Sequence, residues 1–452
     1  MEESLPGIKS FLKPLNLPDF FHAMLVRYVI SIVFRTGRNS AMHASSVVHG
    51  RPLHRAQPAR FLIRIRRWTT KILDQLVDDF LSDEHWTGEY VFIVDSTLIA
   101  RQGATAENTY STGSRKRRPE KNRRYKKYKY ARKSCNCFVF GLLITPDGIR
   151  VPFFKPYHTR KYAKQKKIKF RTQAELASDL IRELTVIPNG ASVCVLGDTA
   201  FDAKTVRDAC AERRFNWIVP TNTSRVFAGP KKKRKRLTTR IHSLLKTDFK
   251  KTQLTPGSSD YAKYRRLSAH RVGSKSKPRT YYVHPEKREV HSVGQVKLVF
   301  SSTKPIRKRA SRKSTKILMT NARNWSPRRI VELYSLRWQI ELFFKEMKRD
   351  LGMHQYRFKS FAAVTSWIEI AMLTFLFMEW TRKRKLNDKR ITDEERRIWS
   401  LQRTYGCRQA IQVGTQLKEK RWMLKRLETK HGIKTLRKSF IGLLDYEYRC
   451  AA

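Results

Sequence analysis

Apolar positions along this chain change their spacing several times. Up to about residue 85 the period is helical, with apolar runs in "FHAMLVRYVISIVF" and "WTTKILDQLVDDFL" on either side of a small-residue stretch broken by Gly50 and Pro52. Two short helices joined at a glycine can form a helix-turn-helix, so this region is a candidate for DNA contact. The texture then changes to short β-branched and aromatic runs: "YVFIVD" at 90–95, "CFVFGLLI" at 137–144 and "IRVPFF" at 149–154. The last two are joined by "TPDG", which predicts a hairpin. A helix follows in "RTQAELASDLIRELT", then a continuous apolar strand "SVCVLGD", a helix "DAKTVRDACAERR" and a strand "FNWIV". The predicted order is βββαβαβ, a mixed α/β sheet flanked by helices.

Residues 220–322 are basic and rich in turns, with strand-like pieces in "TYYVHP", "QVKLVFSS" and "TKILMT", and read as a β-rich insertion. A helix opens after it at "NWSPRR", where Ser326 suits the N-cap and Pro327 the first helical position. A long apolar helix spans 361 to about 384, and a charged helical tail follows. The stretch "FAAVTSWIEIAMLTFLFMEW" approaches membrane-spanning length, but Glu369 near its middle makes it a buried core helix by expectation.

Charge narrows the partner. Over 452 residues, 96 Lys and Arg against 38 Asp and Glu leave a net charge of +58, an imbalance that suits a polyanion and nucleic acid first. In the run "SRKRRPEKNRRYKKYKYARK" (114–133), Tyr125, Tyr128 and Tyr130 interleave with cations, an arrangement for phosphate contact with base or sugar stacking. The run "PKKKRKR" (230–236) reads equally as a phosphate-binding or an import-type cluster. Six cysteines without a CxxC pair argue against a zinc site and for a reduced cytosolic compartment. The N-terminus has no apolar core of a secretory signal.

The helix around "YSLRWQIELFFKEMK" raises the chemical question. At about 100° per residue, Tyr334, Arg337, Glu341, Lys345 and Lys348 share an arc of roughly 80°, beside an apolar arc of Leu333, Leu336, Ile340, Phe343, Phe344 and Met347. Read alone, the polar stripe is a ladder of i,i+4 ion pairs, Glu341 with Arg337 or Lys345. Two other carboxylates change that reading. Asp95 ends "YVFIVD" and Asp198 ends "SVCVLGD", the latter after Gly197, which permits close approach of backbone. Either aspartate alone would serve as a cap or turn former. Together with Glu341 they form a triad from two strand ends and one helix. Three converging carboxylates repel unless a cation joins them, and hard oxygen ligands select Mg2+, with Mn2+ as a substitute. Such ions clamp the attacking and leaving oxygens of a phosphodiester. Arg337 and Lys348 would hold phosphates, and Tyr334 can donate to one.

The spacing Tyr334, Arg337, Glu341, Lys348, together with "VDST" and "GDTAFDAKTVRDACAERRFNWIV" in the same order, resembles the Y-R-E-K signature of bacterial insertion-sequence transposases of the DDE class. The resemblance covers about residues 90 to 350. It implies an RNase H-like catalytic core with a β insertion, with Asp95, Asp198 and Glu341 as metal-binding catalytic acids. It also implies that Tyr334, Arg337 and Lys348 contact transposon-end DNA. The expected domains are then a helical DNA-binding region (1–85), the first part of the RNase H-like core (86–219), a basic β-rich insertion (220–322), the second part of the core with the glutamate helix (323–384) and a basic helical C-terminal region (385–452). The partners implied are double-stranded DNA, as transposon ends and target, and a second copy in a synaptic homodimer; no membrane and no small-molecule substrate is expected. The expected location is the bacterial cytoplasm, at the nucleoid. A non-catalytic DNA binder and a magnesium-dependent nuclease without strand transfer are the alternatives. Some relatives stack an aromatic of the insertion on a flipped base, but "STKILMT" has none; Trp217, Trp325 and Trp338 are candidate substitutes, though each reads more simply as a packing residue. Asp202 reads as a helix cap, Glu346 as pointing away from the stripe, Asp147 as part of the turn and His158 as solvated.

Overall fold

The structure, a computed structural model, describes residues 7–33, 56–65, 74–77, 88–101, 106–112, 133–146, 148–187, 191–230, 235–254, 279–356, 358–387 and 390. Contacts divide the chain into two compact units, Leu81–Lys345 and Met1–Phe80 with Glu346–Ala452.

The unit Leu81–Lys345 is built on one ten-stranded mixed sheet. Its strands are β1 (Glu89–Arg101), β2 (Tyr110–Thr112), β3 (Lys133–Ile144), β4 (Arg150–Pro156), β5 (Ser192–Leu196), β6 (Asn216–Pro220), β7 (Lys250–Leu254), β8 (Arg279–Val290), β9 (Gly294–Ser302) and β10 (Lys316–Thr320). Their order is β2-β3-β1-β5-β6-β10-β9-β8-β7, with β4 also paired to β3. β1 pairs antiparallel with β3 and parallel with β5, and Tyr90 through Val94 are buried on both faces. An uninterrupted apolar run is what such a doubly covered central strand requires. The hairpin at "TPDG" forms as expected: Gly148 N–H donates to Thr145 O at 2.8 Å, and Gly148 takes φ 81°, a value that glycine adopts without strain.

Two expectations are corrected here, the end of β1 and the single helix around 334–348. β1 does not end at Asp95; it runs on to Arg101, pairing with β3 alone beyond Ile93. The strands of 220–322 join the core sheet. β10 pairs antiparallel with β6 over Leu318↔Pro220 to Thr320↔Ile218, so β10, β9, β8 and β7 extend the core sheet itself. The helix around 334–348 is two helices, as described below.

Helices α4 (Arg160–Gln165), α5 (Gln173–Arg182), α6 (Lys204–Glu212) and α7 (Leu237–Ser243) connect the strands. α5 starts on a capping box in which Thr172 and Glu175 satisfy each other's backbone N–H groups, as its sequence demands. α8 (Pro327–Ser335) starts at Ser326, whose hydroxyl accepts from Arg329 N, with Pro327 at the first position. Arg329 also donates to both oxygens of Glu89 at 3.1 Å, tying the start of α8 to the start of β1.

In the other unit, α1 (Ile8–Leu12), α2 (Asp19–Val33) and α3 (Ala56–Arg64) pack on α10 (Phe361–Asn387). Tyr28 joins three of these elements: its hydroxyl donates to Pro58 O at 2.7 Å and its ring lies 6.1 Å from that of Trp367. α10 is long and apolar enough to cross a bilayer, and 94% of that stretch is buried, as expected of a core helix. The small-residue link that suggested a helix-turn-helix lies outside the described residues, as does the charged tail beyond 390. Among the described cysteines, Cys135, Cys137, Cys194 and Cys210 are buried and form no disulfide with one another.

Candidate active site

Strand register brings two of the acids together. The parallel ladder of β1 and β5 ends at Ile93↔Leu196, and two residues further along each strand stand Asp95 and Asp198. Neighbouring parallel strands keep equal rise per residue, so the two carboxylates reach the same level at the carboxyl end of the pair. Gly197, between the end of β5 and Asp198, leaves room for the turn that follows: a Cβ there would lie 3.0 Å from Phe201 Cβ, closer than ordinary packing. Asp198 is also a cap, its Oδ1 accepting from Ala200 N at 2.8 Å at the start of the 3-10 turn Thr199–Phe201. Asp95 Oδ1 accepts from Ser96 N at 2.7 Å.

The glutamate arrives by packing. α8 ends at Ser335, the chain tightens through Leu336 and Arg337, and α9 (Trp338–Arg349) begins. Across the join, Arg337 N–H donates to Tyr334 O at 3.0 Å and Gln339 N–H to Leu336 O at 2.8 Å, three-residue spacings that overwind the backbone. Glu341 therefore sits in the first turn of α9, where the positive end of the helix dipole favours a carboxylate. Its helix is held on the sheet by Phe343 and Phe344, whose rings lie 5.7 and 5.4 Å from that of Phe140. Phe140 is the cross-strand partner of Asp95 in β3. Directly opposed residues of an antiparallel pair project to the same face, so the aromatic cluster that seats α9 also carries Glu341 towards Asp95. All six apolar positions named on this segment, from Leu333 to Met347, are buried.

Arg337 occupies the centre. Its Nη1 lies 3.6 Å from Asp95 Oδ2, and its Nη2 donates to Glu341 Oε1. The i,i+4 pair is thus real, and the same guanidinium reaches the strand acid. Burial pushes the Asp95 carboxyl up to about 6, against the pull of the Ser96 N–H and of Arg337, with the negative charges of Asp198 and Glu341 adding to the rise. Arg337 goes the other way: burial disfavours its charge, but its hydrogen bond to Glu341 and the charges of Tyr334, Glu341 and Asp95 outweigh that and raise its pKa. Burial holds the Tyr334 phenol at about 12, with Arg337 lowering it and Asp198 and Glu341 raising it. The phenol is a neutral donor.

Lys316 belongs to this site, and sequence reasoning did not single it out. Following the ladders from Leu318↔Pro220 to Ile218↔Leu196 places the first residue of β10 just above the level of Asp198. Its ammonium lies 5.4 Å from the centre of the Tyr334 ring. Burial lowers its pKa, with Arg337 lowering it further and Glu341 and Asp198 opposing. Lysine is common in this chain, and only the long-range pairing of β10 with β6 distinguishes this one.

As they stand, no three His, Cys, Asp or Glu side chains among the described residues are gathered closely enough to hold an ion. Asp198 and Glu341 are within electrostatic reach of Asp95, but Asp95 and Glu341 meet Arg337 rather than each other, while Asp198 accepts from Ala200 N. The donor chemistry fits a hard divalent cation, and a shared ion requires Arg337 to release Asp95 and Glu341. Of the other residues named from sequence, Lys345 is exposed on α9. Lys348 is half-buried in its last turn, in the part of the helix that belongs to the other unit. Tyr125, Tyr128 and Asp147 lie outside the described residues. Asp202 is not the N-cap of α6, a position held by Ala203; it closes the 3-10 turn Thr199–Phe201, and its carboxylate takes Arg207 and Arg225, each at 2.7 Å, and the Thr221 hydroxyl. Glu346 is buried, and the His158 ring stacks on Tyr162 at 5.6 Å rather than standing in solvent. Trp217 is buried and Trp325 lies under the Arg329 guanidinium, but Trp338 is half exposed at the start of α9 and is not a packing residue.

A mixed sheet with one aspartate within β1 and one just past β5, level with each other beyond the end of the parallel ladder, and a glutamate helix reached through added strands, is an RNase H-like architecture. The family model described as the transposase DDE domain matches residues 86–377, well over half of the chain, and the chain belongs to that family. The family acts on DNA and generally uses divalent metal ions. No curated protein matches the chain.

Proposed function

We propose that this protein is a DNA transposase that binds the terminal inverted repeats of its own mobile element, cleaves at their ends and joins the freed 3′-hydroxyl to target DNA. The observation that carries the reading is the pairing of Asp95 and Glu341 through Arg337, with Asp198 within electrostatic reach of Asp95, in a chain that matches the transposase DDE domain. Asp95, Asp198 and Glu341 would hold Mg2+, or Mn2+ in its place, which when bound supplies a polarised phosphoryl oxygen and an activated attacking hydroxyl. The chain's own groups do the rest. Arg337, once released from the acids, offers a planar fork to a phosphate; the neutral Tyr334 phenol donates a hydrogen bond, and the Lys316 ammonium adds a donor to the same place. Two copies pairing two ends in a synaptic dimer, at the bacterial nucleoid, complete the reading.

A pre-cut element end incubated with target DNA and Mg2+ or Mn2+ tests it. The wild type is expected to yield joined products. Asp95→Asn, Asp198→Asn and Glu341→Gln should each lower the yield by at least about 10³-fold, the scale for groups that act as a unit, while end binding stays within a few-fold. Full activity in any one variant overturns the assignment of that acid. Because Arg337 already satisfies Asp95 and Glu341, a DNA binder without chemistry is the second reading: binding with no cleavage at any metal concentration would favour it. Cleavage without joining would favour a nuclease.

A further inference from the structure

A second cationic site lies away from the acids. The segment after β6, helix α7 and the end of β8 enclose a groove of about 700 Å3, lined by Lys235, Arg240 and Arg288, by the hydroxyls of Thr239 and Ser243, and by Glu289. Its guanidiniums are preset. The Glu286 carboxylate, nearly buried, accepts from Arg240 Nε at 2.7 Å and from Arg288 Nε at 3.2 Å. Arg240 Nη1 also donates to Ser243 Oγ at 2.9 Å. Arg288 lies 5.9 Å from the centre of the Phe227 ring. One acid inside the protein thus orders two forks and removes part of the entropy cost of binding with them. Arg288 is held through its Nε, and its side chain is 56% accessible. The side chain of Lys235 is exposed, and among the described residues no side-chain hydrogen bond or ion pair engages it. Glu289 is the acid on this wall, and Gln295 Nε2 reaches it at 3.4 Å.

We propose that this groove is a second DNA-binding site that takes backbone phosphates of the duplex whose end is processed at Asp95, Asp198 and Glu341; it rests on the transposase reading for the identity of its polyanion. Phosphate oxygens match ordered guanidinium forks and an ammonium with hydroxyls beside them. The topology also sets its distance. β8 lies four strands from β5 in the sheet. At ~4.8 Å per strand that is about 19 Å, which corresponds to about six base pairs at ~3.4 Å each. The groove therefore contacts DNA inside the end rather than at the cleaved bond.

The test measures binding alone, by fluorescence anisotropy of the full-length protein with duplex ends of increasing length across a salt series. Lys235→Ala with Arg288→Ala should reduce the slope of log affinity against log salt by about 2, one unit per lost phosphate contact. The loss should appear only when the duplex extends beyond about six base pairs from the end. Lys235→Glu alone, at an exposed position, keeps the experiment valid should the double variant fail to fold, and is expected to weaken long-duplex binding at low salt. Equal slopes for wild type and variants, with wild-type binding intact, overturn the groove and leave the active site untouched. A wild type that binds no duplex at all overturns both.

Discussion

The guanidinium of Arg337 touches carboxylates from a strand and a helix, and at the strand acid its pull is outweighed by burial. Asp95 is the residue in which this becomes measurable, because its carboxyl titrates near 6 in the folded chain against an ordinary value of 3.8. Between those values the folded protein keeps a proton that the unfolded chain has lost. Stability from this group is therefore present at low pH and is lost as pH rises through about 6. At about 1.4 kcal/mol per unit, the ionised side chain costs about 2–3 kcal/mol at neutral pH in the absence of metal. Asp95→Asn should stabilise the metal-free protein by that order at pH 7.5 and by little near pH 4, as read by urea unfolding in chelator. A gain that is the same at both pH values would show that burial of the charge is not the cause. The variant would be more stable and, on the proposed mechanism, inactive: the site holds an acid that the fold alone would not favour.

At the level of elements, Phe140 is the clearest link between packing and chemistry. It is fully buried, opposes Asp95 across β1 and β3, and contacts both phenylalanines of α9. Phe140→Ala is expected to cost about 3–5 kcal/mol and to loosen Glu341 as well. Phe140→Leu, which refills much of the space, should recover most of the stability seen in thermal unfolding. A Phe140→Ala protein as stable as wild type would contradict the seating of α9 on this ring. Much of this architecture could be read from the chain. "SVCVLGD" is a short apolar run that ends in glycine and aspartate, and it became β5 with Asp198 just beyond it. The cap at Ser326 and the turn at "TPDG" follow from local chemistry and formed where expected. What stayed hidden is non-local. The extension of β1 past Asp95 depends on β3, which continues beside it; the place of β10 depends on β6, about a hundred residues earlier. The break at Leu336 and Arg337 leaves no mark in an apolar period that continues across it, and it carries no glycine or proline. The Asp202 carboxylate looks like a cap until Arg207 and Arg225 are found beside it.

For the molecule as a whole, a net charge of +58 means that self-repulsion is a standing cost which a bound polyanion offsets. Within the sheet that charge has a further effect. β7 is its last strand and pairs with β8 alone, so one side of its backbone carries no partner strand among the described residues. Its sequence opens with Lys250 and Lys251, both exposed. Unpaired N–H and C=O groups along a flat strand invite a neighbouring chain to anneal, and lysine is a common deterrent. Replacing both with valine should leave the monomer folded and turn it into oligomers and aggregates at rising concentration, as seen by size-exclusion chromatography with light scattering. A monodisperse double variant would show that something other than charge protects this border. On the proposed transposase reading, in which copies share one DNA molecule, this border lets two neighbours meet on the polymer without fusing their sheets.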